Sequence, residues 1–128
     1  MQISTIGVVG AGTMGSGITQ VAATKGLDVI LLDMNEAAVA KGTNAVESRL
    51  ARLVAKGQMS AAENTAALGR IHGTTGYPDL KPADVIIEAA TEDYDLKAKI
   101  LKRIDMLVSA TRSSHQILRL SLSSGSDH

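Results

Sequence analysis

The chain has 128 residues, with 13 lysines and arginines balanced by 13 aspartates and glutamates. That length supports one domain with a buried core, and the charge balance offers no footing for nucleic acid or an acidic membrane surface. Cysteine, phenylalanine and tryptophan are absent. This excludes a disulfide framework, thiol chemistry and a base-stacking platform, and no metal site is expected. No apolar run reaches membrane-spanning length and no signal peptide is recognisable, so a cytoplasmic protein is expected.

Residues 3–9 read as a first strand that runs straight into Gly10-Ala11-Gly12-Thr13-Met14-Gly15 and then into a helical pattern over 13–25. A strand, a G-x-G-x-x-G turn and a helix in this order make the phosphate turn of a dinucleotide-binding βαβ unit. Gly10 allows the sharp turn, Gly12 lets a pyrophosphate approach the backbone, and Gly15 lets the helix pack on the strand. The helix N-terminus adds unpaired N–H groups and the positive end of its dipole. Lys25-Gly26 ends this helix with a cation and a C-terminal glycine.

A second strand is expected at 28–33, where Val29-Ile30-Leu31-Leu32 is a continuous apolar run ending in Asp33. Such a run belongs to a parallel strand buried on both faces. Asp33 stands at the spacing, roughly 20 residues past the glycines, at which an acid accepts the hydroxyls of the adenosine ribose. A carboxylate there repels a 2′-phosphate, and Met34 and Asn35 supply no arginine to receive one, so NAD is expected in preference to NADP. The plainer role for Asp33 is to cap the helix beginning near Glu36, but Asn35 is the better-placed cap.

A long helix follows over 36–56. Val39, Val46, Leu50 and Leu53 recur on one face, and Gly57 stops it. Ser60-Ala61-Ala62-Glu63 is a capping box that opens a short helix to about Leu68. A short strand is expected at 71–74. Turn residues Pro78, Asp79 and Pro82 then precede the buried-strand run 84–88. A further helix is expected over 94–108, with Leu96, Ile100, Ile104 and Leu107 on one stripe. Alternating strands and helices predict an α/β, Rossmann-type, doubly wound parallel sheet in which the helices between Glu36 and Leu68 form a hairpin insertion. On the first of these helices Arg49, Arg52 and Lys56 share one basic face. A solvated surface explains it, and so does a site for an anionic substrate.

Together, the glycine turn, Arg52-Leu53-Val54-Ala55-Lys56-Gly57, Arg70-Ile71-His72-Gly73-Thr74-Thr75, residues 83–93 with their Glu88-Ala89-Ala90-Thr91-Glu92-Asp93 block, and Leu96-Lys97 resemble the NAD-binding domain of 3-hydroxyacyl-CoA dehydrogenases. Within that family the bacterial 3-hydroxybutyryl-CoA dehydrogenases look most similar. The resemblance covers about residues 2–110. It implies that the peptides from Gly10 to Gly15 hold the NAD pyrophosphate, that Asp33 holds the adenosine ribose, and that Ala90, Glu92 and Lys97 contact NAD near its nicotinamide half. It makes Lys56 a contact to the CoA portion of an acyl-CoA substrate and leaves Arg49 and Arg52 undecided. Lys97 could instead pair with Asp93 one turn away. The implied reaction is hydride transfer between C3 of a 3-hydroxyacyl-CoA and NAD. The histidine–glutamate pair that the family uses belongs to a region beyond the match, as does the helical domain that completes the cleft and mediates dimerisation. No catalytic residue is therefore assigned: His72 is a bystander, and His115 and His128 do not sit in the family's histidine motif. A non-catalytic NAD-binding module is the alternative expectation.

From Thr111 to His128 the chain is serine-rich and leaves the family pattern. Permissible codons from Ala110 to Ser123, read from the third base, spell DAIIASNTSSLS, the strand and serine motif that the family would place here. A tail in a shifted frame is thus expected over 111–128, following a Rossmann domain over 1–110. One strand of the sheet would then be missing or replaced, a loss that an oligomer could offset.

Overall fold

Ile6, Val8, Val29, Leu31, Val85 and Ile87 are each exposed by 1 % or less, and they come from three neighbouring parallel strands. In the computed structural model, which describes residues 3–89 and 118–121, the chain runs β1 (Thr5–Val9), α1 (Thr13–Thr24), β2 (Asp28–Leu32), α2 (Glu36–Ala55), α3 (Ala61–Gly69), β3 (Ile71–Thr74), a 3₁₀ turn (Tyr77–Leu80), β4 (Val85–Glu88) and β5 (Leu118–Ser121). The expected helix over 94–108 lies outside the described residues.

The strands form one sheet in the order β3-β2-β1-β4-β5, and every neighbouring pair is parallel. The chain therefore winds outward from β1 through β2 to β3, then returns across the sheet to place β4 on the other side of β1. Beyond the carboxyl ends of β1 and β4 is the switch point at which open α/β sheets bind ligands. Val9 stands opposite both Leu32 and Glu88 there, and the Ala89 N–H donates to Val9 O at 2.8 Å.

The apolar runs are buried from both sides, which is why they do not alternate with polar residues. One face carries the main core, where Ile6, Val8, Val29 and Leu31 meet Met14 and Ile18 of α1 and Val46 and Leu50 of α2. On the other face Ile30, Leu32 and Leu80 form a second cluster with Val9 and Ile86. Gly7 makes room for it, since a Cβ there would lie 2.8 Å from Leu80 Cδ2.

The helix ends follow local chemistry. Asn35 Oδ1 accepts from the Ala38 N–H at 2.8 Å, so Asn35 caps α2 and Asp33 does not. Ser60 and Glu63 complete their capping box with bonds of 3.0 and 2.8 Å. α1 and α2 close alike. Gly26 and Gly57, at φ +97° and +73°, donate to Ala23 O and Val54 O, while the next N–H groups, of Leu27 and Gln58, donate to Ala22 O and Leu53 O, the paired bonds of a Schellman ending. α2 and α3 are the expected hairpin.

β5 pairs with β4 in the register Val85↔Leu118, Ile86↔Arg119, Ile87↔Leu120 and Glu88↔Ser121. A segment of the serine-rich tail thus supplies the strand beside β4. The leucine-arginine-leucine-serine order of β5 alternates with the period of a strand, a pattern that the compositional reading of the tail passed over.

Candidate functional site

The glycine turn is built by three different uses of glycine. Gly10 has φ +108°, a conformation that a side chain disfavours, and its N–H donates to Leu32 O at 2.7 Å. Gly15 allows contact: a Cβ on it would fall 1.7 Å from Gly10 O and 3.5 Å from Val8 Cγ1. Gly12 faces open space, with nothing within 4 Å of where its Cβ would be. It is the N-cap residue of α1, in extended conformation at φ −73°, and offers no side-chain cap. No N-cap side chain therefore competes for the first N–H groups of α1, as an anion site requires. Met14 is fully buried, so its side chain packs in the core and takes no part in the open face of the turn.

Asp33 stands at the tip of β2 and reaches back to this turn. Its Oδ2 accepts from the Ala11 N–H at 2.8 Å and its Oδ1 from the Met34 N–H at 2.6 Å. The carboxylate thus fixes the turn while each oxygen keeps a further lone pair for a ligand hydroxyl.

Ala11, Gly12, Thr13 and Asp33 line one cavity of about 210 Å³, and Lys41 and Arg49 close it from α2. That volume suits part of a dinucleotide lying in an open groove, not the whole molecule. The Arg49 Nη1 donates to Ser16 Oγ at 3.1 Å, and Ser16 Oγ donates to Thr13 O at 3.2 Å. Ser16 is 1 % exposed, so a buried hydroxyl ties the α2 guanidinium to the first turn of α1.

The structure separates the three residues of the basic face. Arg49 is half-buried in the cavity, whereas Arg52 and Lys56 are exposed at the far end of α2. α2 has 20 residues, a span of about 30 Å, so Lys56 stands well away from the glycine turn. His72 is exposed on β3, the edge strand. Ala90, Glu92, Lys97, His115 and His128 lie outside the described residues. Among the described residues no three histidines or acids gather as a metal site would need, and no helix is long and apolar enough to cross a membrane.

Two contributors were missed by the sequence reading. Gly42 lets α2 approach the turn, since a Cβ there would lie 2.7 Å from both Ala11 Cβ and Ala11 O. A glycine inside a helix costs about 1 kcal/mol relative to alanine, and that cost was the available signal. Lys41 was the other, and its helical spacing from Ala38, Ala45 and Arg49 was legible in retrospect.

A sheet whose strand order reverses beside a glycine turn, with an acid ending the next strand, defines a Rossmann-type dinucleotide-binding domain. Residues 5–124 match the family model described as 3-hydroxyacyl-CoA dehydrogenase, NAD binding domain, and the chain belongs to that family. It is 37% identical over 125 residues to a probable 3-hydroxybutyryl-CoA dehydrogenase of Deinococcus radiodurans, covering 93% of this chain and 45% of the relative. It is 40% identical over 102 residues to the 3-hydroxybutyryl-CoA dehydrogenase of Clostridioides difficile, covering 80% of this chain and 36% of the relative. Among solved structures, the (S)-3-hydroxybutyryl-CoA dehydrogenase of Ralstonia eutropha superposes with a TM-score of 0.71 at 50% identity, over 92% of this chain and 41% of that one. The chain thus spans less than half the length of these relatives. NAD is the cofactor of this domain, and the open space before Gly12 and the cationic wall beside it fit a dinucleotide phosphate.

Proposed function

We propose that this chain is the NAD-binding portion of a 3-hydroxyacyl-CoA dehydrogenase, acting on a 3-hydroxybutyryl-CoA-like substrate in the cytoplasm, and that the 128-residue chain binds the cofactor without turning over. The observation that carries this reading is the pairing of an unobstructed Gly12 with an Asp33 carboxylate bonded to the adjacent Ala11 peptide.

In this reading the peptides of Gly10, Ala11, Gly12, Thr13, Met14 and Gly15 hold the pyrophosphate, assisted by the dipole of α1. Asp33 accepts the hydroxyls of the adenosine ribose. Ala90, Glu92 and Lys97 contact the nicotinamide half, and Lys56 meets the CoA portion of the substrate. When bound, NAD supplies the hydride acceptor at C4 of nicotinamide. The chain's own residues bind and orient it. A base for the C3 hydroxyl proton, a task suited to histidine near neutral pH, is assigned to no residue of this chain. Residues 1–110 form the domain proper, and 111–128 form a tail in a shifted frame that contains β5. Self-association is a further part of this reading.

Two measurements test it. NADH titration followed by fluorescence should show saturable binding, and acetoacetyl-CoA should not accelerate NADH oxidation by the chain. Turnover would refute the missing base, and failure to bind NADH would refute the cofactor role. The coding DNA tests the tail: codons around Ala110 that cannot yield DAIIASNTSSLS in the second frame would end that part of the reading.

A further inference from the structure

The Asp33 carboxylate occupies a position that is itself built for an anion. Two backbone N–H groups, of Ala11 and Met34, donate to it at 2.8 and 2.6 Å. Two cations, Lys41 and Arg49, line the same cavity, and Asp33 is the only acid among the described residues that line it. Peptide donors converging with lysine and arginine are the means by which proteins hold phosphate. The sequence around Asp33 contains no arginine, yet the packing of α2 on α1 brings Arg49 into the cavity, where its bond to the buried Ser16 hydroxyl holds the guanidinium in place.

We propose that Ala11 N–H, Met34 N–H, Lys41 and Arg49 form a latent 2′-phosphate subsite, and that the Asp33 carboxylate keeps it closed by standing in for the phosphate. Lys41 and Arg49 are then specificity-determining residues. They lower the barrier to NADP, and Asp33 tips the balance to NAD against them. The inference rests on the cofactor reading above and deepens it: discrimination comes from occupation of an anion site, not from a lack of cations. Replacing Asp33 by a small neutral residue frees both peptide donors and leaves the cavity with two uncompensated positive charges. A ligand that brings its own dianion restores both.

The experiment uses the 128-residue chain and four forms: the parent, Asp33→Ser, Asp33→Asn, and Asp33→Ser combined with Lys41→Ala and Arg49→Ala. NADH and NADPH are titrated against each by fluorescence at low and at high salt. Asp33→Ser should tighten NADPH at least about tenfold, a factor worth 1.4 kcal/mol, while weakening NADH. The gain should shrink at high salt and vanish in the triple variant. Asp33→Asn, which retains the shape, should show a smaller gain of the same sign and gives the answer if the serine variant fails to fold. NADPH binding no tighter in either single variant than in the parent would overturn the proposal, as would a gain that survives removal of both cations. A parent that binds neither dinucleotide would sink the cofactor reading and this inference with it. A parent that binds NADH, with single variants that bind NADPH no better, would sink only the latent subsite.

Discussion

A Cβ on Gly15 would stand 1.7 Å from the carbonyl oxygen of Gly10. The first turn of α1 and the turn that precedes it are therefore in direct backbone contact, and the cofactor cradle is a packing arrangement as much as a binding one. Gly15→Ala cannot be relieved by rotating a side chain, because the obstacle is main chain. Destabilisation of about 3 kcal/mol or more is expected, at the upper end for overpacking, read as a lower urea midpoint with NADH binding reduced in parallel. A variant as stable as the parent would show that the contact is loose.

Gly12→Ala separates binding from folding. Its Cβ meets nothing within 4 Å and its φ of −73° suits any residue, so the stability cost should stay below about 1 kcal/mol. The methyl group would project into the space assigned to the pyrophosphate, and NADH affinity should fall at least about tenfold. Unchanged affinity would move the phosphates away from this turn.

Gly42→Ala pits helix propensity against a clash. Alanine favours the helix by about 1 kcal/mol, but its Cβ would press within 2.7 Å of Ala11 O. The expected net result is a loss of about 1–3 kcal/mol together with weaker NADH binding, because the displaced Ala11 peptide also holds Asp33. A stabilised variant with normal affinity would show that α2 yields instead.

Ser60→Ala provides the contrast. It removes the Ser60–Glu63 capping box of α3, which should cost about 1 kcal/mol by thermal or chemical unfolding. NADH affinity should not change, since α3 lines no part of the cavity beside the glycine turn.

Removal of residues 111–128 takes β5 from the side of β4. β4 then keeps only its pairing with β1 among the described strands. The β4 amides that face β5 should exchange faster with solvent, and the chain should unfold at lower urea. Equal protection in the shortened chain would show that β5 does not contribute to the sheet's stability.

The elements that sequence alone determined are those governed by neighbours a few residues apart. The buried runs of β1, β2 and β4, the apolar stripe of α2, the glycine turn and the Asn35 and Ser60 caps all follow from local period, spacing and hydrogen-bonding chemistry. So does the placement of Asp33 at the end of β2, within reach of the turn. Only tertiary structure decided how helices lie on one another. The approach of Gly42 to Ala11, the bond from Arg49 to Ser16, and the separation of Arg49 from Lys56 depend on where α2 settles against α1. That placement comes from close-packing of side chains far apart in the chain, which no single window of sequence displays. It is also what brings Lys41 and Arg49 to the cavity that Asp33 lines, cations that its own neighbours, Met34 and Asn35, do not provide.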